Sequence, residues 1–117
     1  MRGKSDIYEE NLRLCVETAK AVPEVQRIYL FGSYARGVYR YLKSDLDLFL
    51  EVDDLGENNR NVLKIRQMVY NQDGLSIDVD LYITTHSLLE YDQFIDRSEK
   101  LFYESARKDC VLVWERQ

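Results

Sequence analysis

Gly32-Ser33-Tyr34-Ala35-Arg36-Gly37, followed by Ser44-Asp45-Leu46-Asp47-Leu48, is the stretch on which the fold of this chain turns. Its first half is a glycine turn that suits a phosphate. Its second half carries two carboxylates. The run before it, Val25-Gln26-Arg27-Ile28-Tyr29-Leu30-Phe31, is short, β-branched and aromatic, the composition of a buried strand that ends at the glycine. At Gly32 the missing side chain allows close backbone approach to a ligand, and Ser33 is placed to cap a short helix through Tyr39. Free N–H groups at that helix start favour a phosphate, and the Ser33 hydroxyl offers one more hydrogen bond. A Gly-Ser turn after a strand is, taken alone, more often plain punctuation.

The acids add what the turn lacks. Asp45 and Asp47 stand at i and i+2 at the head of Leu46-Asp47-Leu48-Phe49-Leu50-Glu51-Val52, and alternate strand residues share a face. Their Cα atoms are then about 7 Å apart, close enough to reach one divalent ion and to repel each other without it. Two acids at the start of an apolar strand cost stability unless a cation or water compensates. Magnesium is the expected cation, because it takes hard carboxylate oxygens together with phosphates and water.

A third acid is sought by the same logic in Leu75-Ser76-Ile77-Asp78-Val79-Asp80-Leu81-Tyr82-Ile83, a strand pattern with apolar odd positions. Asp78, Asp80 and Tyr82 share the other face, and alternation does not choose between the two acids. Glu51 lies on the same strand face as Asp45 and Asp47 but about 13 Å along from Asp47, too far to join them, and is expected to be solvated.

These residues carry a resemblance. Gly32-Ser33-x-Ala35-Arg36-Gly37 with Ser44-Asp45-x-Asp47-Leu48, then Val79-Asp80-Leu81 leading into Thr84-Thr85, resembles the nucleotidyltransferase superfamily of the DNA polymerase β type, and within it the minimal nucleotidyltransferases, MNT. The terminal Cys110-Val111-Leu112-Val113-Trp114-Glu115-Arg116 is similar to the short final strand of that group. The resemblance implies an α/β (α+β) fold with a small mixed sheet flanked by helices. It implies that Gly32 and Ser33 bind a nucleotide triphosphate, that Asp45 and Asp47 ligate magnesium, two ions in all, and that Asp80, the acid directly before Leu81, is the third catalytic and metal-binding carboxylate. The link Val38-Tyr39-Arg40-Tyr41-Leu42-Lys43 is longer than the common form and lacks its usual proline or acidic residue, a departure that bears on substrate specificity.

The resemblance further implies a magnesium-dependent transferase that moves AMP from ATP to a hydroxyl. MNT proteins are typically antitoxins of HEPN-domain toxins, so the implied acceptor is a tyrosine of a HEPN partner. The alternatives from other classes are a non-catalytic antitoxin that covers its partner and a nucleotide-sensing subunit that binds ATP without transfer. Retention of all the motif acids weighs against a pure binder.

Length and composition bound the rest. The 117 residues are expected to make one domain, 1–117, with acceptor recognition supplied by a separate protein. With 45% hydrophobic and 32% charged residues, no membrane-length apolar run and no signal-like start, the expected location is cytoplasmic. A net charge of −5 argues against sequence-independent nucleic-acid binding. Cys15 and Cys110, without a Cys-x-x-Cys or a histidine cluster, read as reduced thiols, and a zinc site is not expected.

Along the chain, Ser5-Asp6-Ile7-Tyr8-Glu9 gives a helix-capping pattern, and Tyr8, Leu12, Cys15, Val16, Ala19 and Val22 form a core stripe before Pro23. Val62, Ile65, Met68 and Val69 make the next helical face. A further helical region is expected from Thr85 to Lys108, broken near Tyr91-Asp92, with an apolar face for self-association or a partner. Arg36 reads as a surface or helix-capping residue at least as readily as a phosphate contact. His86 reads as a surface or capping residue, and Tyr34, Tyr39 and Tyr41 as packing residues.

Overall fold

The computed structural model describes residues 5–117, with side chains from residue 7 onward; the capping role expected of Ser5 and Asp6 lies outside those side chains. The chain runs as helix α1 (Ser5–Lys20), strand β1 (Val25–Phe31), helix α2 (Gly32–Arg36), strand β2 (Leu46–Val52), a 3-10 turn (Glu57–Asn59), helix α3 (Arg60–Tyr70), strand β3 (Val79–Thr84), helix α4 (Arg97–Asp109) and strand β4 (Val111–Glu115). The strands form one mixed sheet in the order β3-β2-β1-β4. β1 is antiparallel to both β2 and β4, whereas β2 and β3 are parallel, a pairing that needs the crossover that α3 provides. The expected small mixed sheet flanked by helices is what forms.

Alternation sorts the strands onto two faces. Ile28, Leu30, Leu46, Leu48, Leu50, Val79 and Leu81 pack with Tyr8, Cys15 and Ala19 of α1 and Ile65 and Val69 of α3. On the other face Tyr29, Phe49 and Tyr82 meet Tyr103, Ala106 and Phe102 of α4 and Leu88 of the loop before it. The α1 stripe read from the sequence is thus core, and so are Ile65, Val69 and the half-buried Met68 of the α3 face, whereas Val62 is only half-buried beside the buried Asn61. Asn11 is buried too, and its amide donates to Ile7 O (2.8 Å) and Ser76 Oγ (2.9 Å).

Three expectations need correction. The strand expected from Leu75 begins only at Val79, because Ser76 N donates to Asn11 Oδ1 (2.8 Å) and the first bond toward β2 is Leu46 N to Asp78 O (2.9 Å). The helix expected from Thr85 begins at Arg97: 87–91 makes a single turn, closed by Tyr91 N on Ser87 O (2.9 Å), and its other groups are engaged by side chains, Leu88 N by Glu51 Oε2 (2.7 Å) and the carbonyls of Leu88 and Tyr91 by Arg107. Asp96 then caps α4 by accepting from Glu99 N (2.8 Å). Third, Glu51 is not solvated but buried, 5% exposed, where it accepts from Leu88 N and pairs with Arg27 at 3.1 Å. Its neighbours from β1 and the 85–96 loop close over it, which strand alternation alone does not register.

Candidate nucleotidyl-transfer site

The site is assembled where β1 ends and β2 begins. Phe31 is the register partner of Asp47 across β1 and β2, and Asp80 is the partner of Asp47 across β2 and β3. Asp47 therefore sits between the glycine turn and the third strand. The parallel register brings Asp80 beside it; Asp78 lies one residue before β3, and its carbonyl accepts from Leu46 N of β2.

Gly32 has a left-handed φ of +80°, and a Cβ built there would overlap the Asp47 carboxylate, with Asp47 Cγ 2.9 Å away. The space expected for a ligand at Gly32 is thus shared with Asp47. α2 is shorter than expected and Ser33 does not cap it. Phe31, extended, is the N-cap and makes no side-chain cap bond, so Ser33 falls inside the first turn. The helix stops at Arg36 rather than Tyr39 because Gly37, at φ 76°, takes the left-handed C-cap, with its N–H bonded to Tyr34 O (3.1 Å).

Electrostatics mark Asp47 as the strained member. Burial first, then the charges of Asp80 and Asp45, push its carboxyl up to about 6, while Arg36 pulls the other way. Asp45, just ahead of β2, and Asp80 are exposed, and Arg36 is also tied to Asp109 at 3.7 Å. Among the described residues no group of three or more His, Cys, Asp or Glu side chains could hold a metal ion by itself. The donor chemistry nonetheless fits magnesium: mutually repelling hard carboxylates, one half-buried, that need positive charge and leave coordination positions for phosphate oxygens and water.

The tyrosines near the turn pack as expected, with Tyr8, Tyr34 and Tyr39 in one cluster. His86 is half-buried against Tyr91 (3.9 Å between rings), and its Nδ1 lies 3.4 Å from the Tyr103 hydroxyl. Tyr8 belongs to the core stripe, but its hydroxyl also bonds the loop before Asp45, which the sequence reading missed; a tyrosine where an aliphatic residue would pack equally well is the signal that could have pointed to it.

A mixed sheet that brings a glycine turn up against paired acids, with a further acid in register from a parallel strand, is the nucleotidyltransferase fold. Residues 14–108 match the polymerase β nucleotidyltransferase family, and the chain belongs to it. No functionally curated protein matches the chain. Among solved structures it is similar to a candidate nucleotidyltransferase from Sulfolobus solfataricus, at 29% identity over 98% of this chain and 91% of that one, with a TM-score of 0.50. It is also similar in fold to a toxin–antitoxin complex with AMP-PNP (24% identity, 91% and 71% covered, TM-score 0.54) and to a complex of a tri-AMPylated Shewanella oneidensis HEPN toxin with its MNT antitoxin (21% identity, 98% and 75% covered, TM-score 0.50). No helix among the described residues is long and apolar enough to cross a membrane.

Proposed function

We propose that this chain is an MNT-type antitoxin that transfers AMP from ATP to a tyrosine hydroxyl of a HEPN-domain toxin, residues 1–117 acting as a single minimal nucleotidyltransferase domain in the cytoplasm. The observation that carries the reading is Asp47, in register with Asp80, pressed against Gly32 and pushed up to about 6 by burial and its acidic neighbours. A carboxylate held at that cost is one arranged for a cation. The AMP-PNP and AMPylated complexes among the fold relatives support the nucleotide and the acceptor class.

In this reading Asp45 and Asp47 would hold magnesium, with Asp80 as the third ligand, and the Gly32-Ser33 turn would receive the phosphates. Magnesium, when bound, neutralises phosphate charge and lowers the pKa of the acceptor hydroxyl. The acceptor oxygen forms a bond to the α-phosphorus, the bond from that phosphorus to the β-phosphate oxygen breaks, pyrophosphate leaves, and Asp80 takes the hydroxyl proton.

The test is intact-protein mass spectrometry after incubation with ATP, magnesium and the protein encoded beside this chain, against an Asp45→Asn, Asp47→Asn control. An AMP increment on the partner, missing in the control, is the expected result. A stable complex without any increment would replace transfer by neutralisation through binding, and metal-dependent ATP binding without complex or product would leave a nucleotide sensor.

A further inference from the structure

Tyr8 is fully buried in the first half of α1, remote in sequence from every residue of the site, yet it touches both halves of it. Its ring stacks on Tyr34 of α2, with centroids 5.0 Å apart and planes 16° from parallel, and meets Tyr39 edge-on at 4.6 Å. Tyr34 follows Ser33 directly, so the stack bears on the glycine turn. The Tyr8 hydroxyl reaches the other half, donating to Ser44 O at 2.8 Å and accepting from Leu42 N at 3.1 Å. Ser44 precedes Asp45, so the hydroxyl grips the peptide from which that acid departs.

The loop itself shows why a grip is needed. Leu42 has φ +64°, a left-handed conformation that a leucine adopts at a cost, and its side chain is 58% exposed, so apolar packing does not hold it there. The bonds from Arg40 N to Ser44 Oγ (2.7 Å) and from Ser44 N to Arg40 O (2.8 Å) are internal to the loop. They shape it without fixing it to the rest of the molecule. Tyr39 and Tyr41 pack the loop against the core, and the Tyr8 hydroxyl adds the polar link at the loop's Asp45 end, from a helix anchored in the core by Cys15 and Ala19.

We infer that Tyr8 is a positioning residue of the transfer site, setting the distance between the phosphate-receiving turn and Asp45 with its ring on one and its hydroxyl on the other. The inference rests on the transferase reading for its kinetic consequence, but its structural part stands apart from it. Because the two contacts use different atoms, they separate. Loss of the hydroxyl frees Asp45 while the ring still supports the turn; loss of the Tyr34 ring disturbs the turn and, through Tyr39, the start of the link, but leaves the hydroxyl on Leu42 and Ser44.

The experiment compares wild type, Tyr8→Phe, Tyr34→Leu and Tyr8→Phe with Leu42→Gly by amide hydrogen exchange and by ATP-dependent transfer to the protein encoded beside this chain. Tyr8→Phe is expected to speed exchange across 40–45 with β1 and β2 still protected, and to lower kcat by about tenfold or more while KM for ATP stays within about twofold, since a displaced ligand hurts the reacting geometry more than ground-state binding. Tyr34→Leu is expected to raise KM for ATP and, with the Tyr8 hydroxyl still on Leu42 and Ser44, to speed exchange at 40–45 less than Tyr8→Phe does. Adding Leu42→Gly, which accepts a left-handed φ freely, is expected to restore part of the protection and of kcat. Unchanged exchange at 40–45 in Tyr8→Phe, or unchanged kcat, overturns the inference. Wild type without transfer overturns the proposed function instead, and the exchange result then decides the structural role of Tyr8 alone.

Discussion

Asp47 sets its carboxylate against the bare Cα of Gly32, so that a Cβ at that position would stand 2.9 Å from Asp47 Cγ and 3.2 Å from its Cβ. The glycine turn and the acidic strand are therefore one unit, and a change in either moves the other.

Gly32→Ala follows directly. The left-handed φ of +80° costs the alanine about 1–2 kcal/mol, and the new methyl turns the Asp47 carboxylate aside. The expected result is a modest fall in stability by urea denaturation with a far larger loss of magnesium-dependent nucleotide binding. Wild-type binding in a folded Gly32→Ala would show that Asp47 is not needed where it stands.

Asp47 also predicts a pH dependence. With its carboxyl raised from 3.8 to about 6, the folded state keeps a proton that the unfolded chain has released, so metal-free stability falls as pH rises from about 4 to about 6. Asp47→Asn removes that dependence and is expected to raise the Tm of the metal-free protein at pH 7 by about 4 °C, while abolishing transfer. Thermal melts in chelator at pH 4.5 and pH 7 check it; a variant that melts lower than wild type at pH 7 would mean that the carboxylate is not under strain.

Glu51→Ala is expected to destabilise by about 2–3 kcal/mol, because it leaves Leu88 N without its acceptor and Arg27 with Glu115 alone. The 85–96 loop should loosen first, visible as faster exchange of the Leu88 amide. Little change on urea unfolding would argue that water replaces the carboxylate.

The two thiols should differ. Cys15 is fully buried and burial pushes its thiol up to about 12, whereas Cys110 is half-exposed. Native protein at pH 8 is expected to be alkylated at Cys110 and not at Cys15, as read by peptide mass spectrometry. The folded state holds the Cys15 proton from 9 up to about 12, so stability declines as pH climbs through that interval.

Much of the fold was legible in the chain. The buried run before Gly32, the i, i+2 acids, the apolar alternation of Val79 and Leu81 and the terminal strand are local patterns, and each forms where its own residues dictate. The expected helix from Thr85 failed for a reason that is not local: Arg107 takes the carbonyls of Leu88 and Tyr91 that a helix would have used, and Glu51, far off in sequence, holds Leu88 N.

Local patterning was thus enough for the order of elements and the family resemblance, because alternation and turn chemistry act over a few residues; Asp45 lies just ahead of β2, outside the strand alternation expected to place it. Contacts between distant segments set the rest: that Asp80 rather than Asp78 stands beside Asp47, that Asp47 fills the space left by Gly32, that Glu51 is buried, and that Tyr8 ties the loop ahead of Asp45. Those relationships depend on strand register and on packing, and a periodicity of two fixes the side of a strand on which a residue lies but not what it lies against.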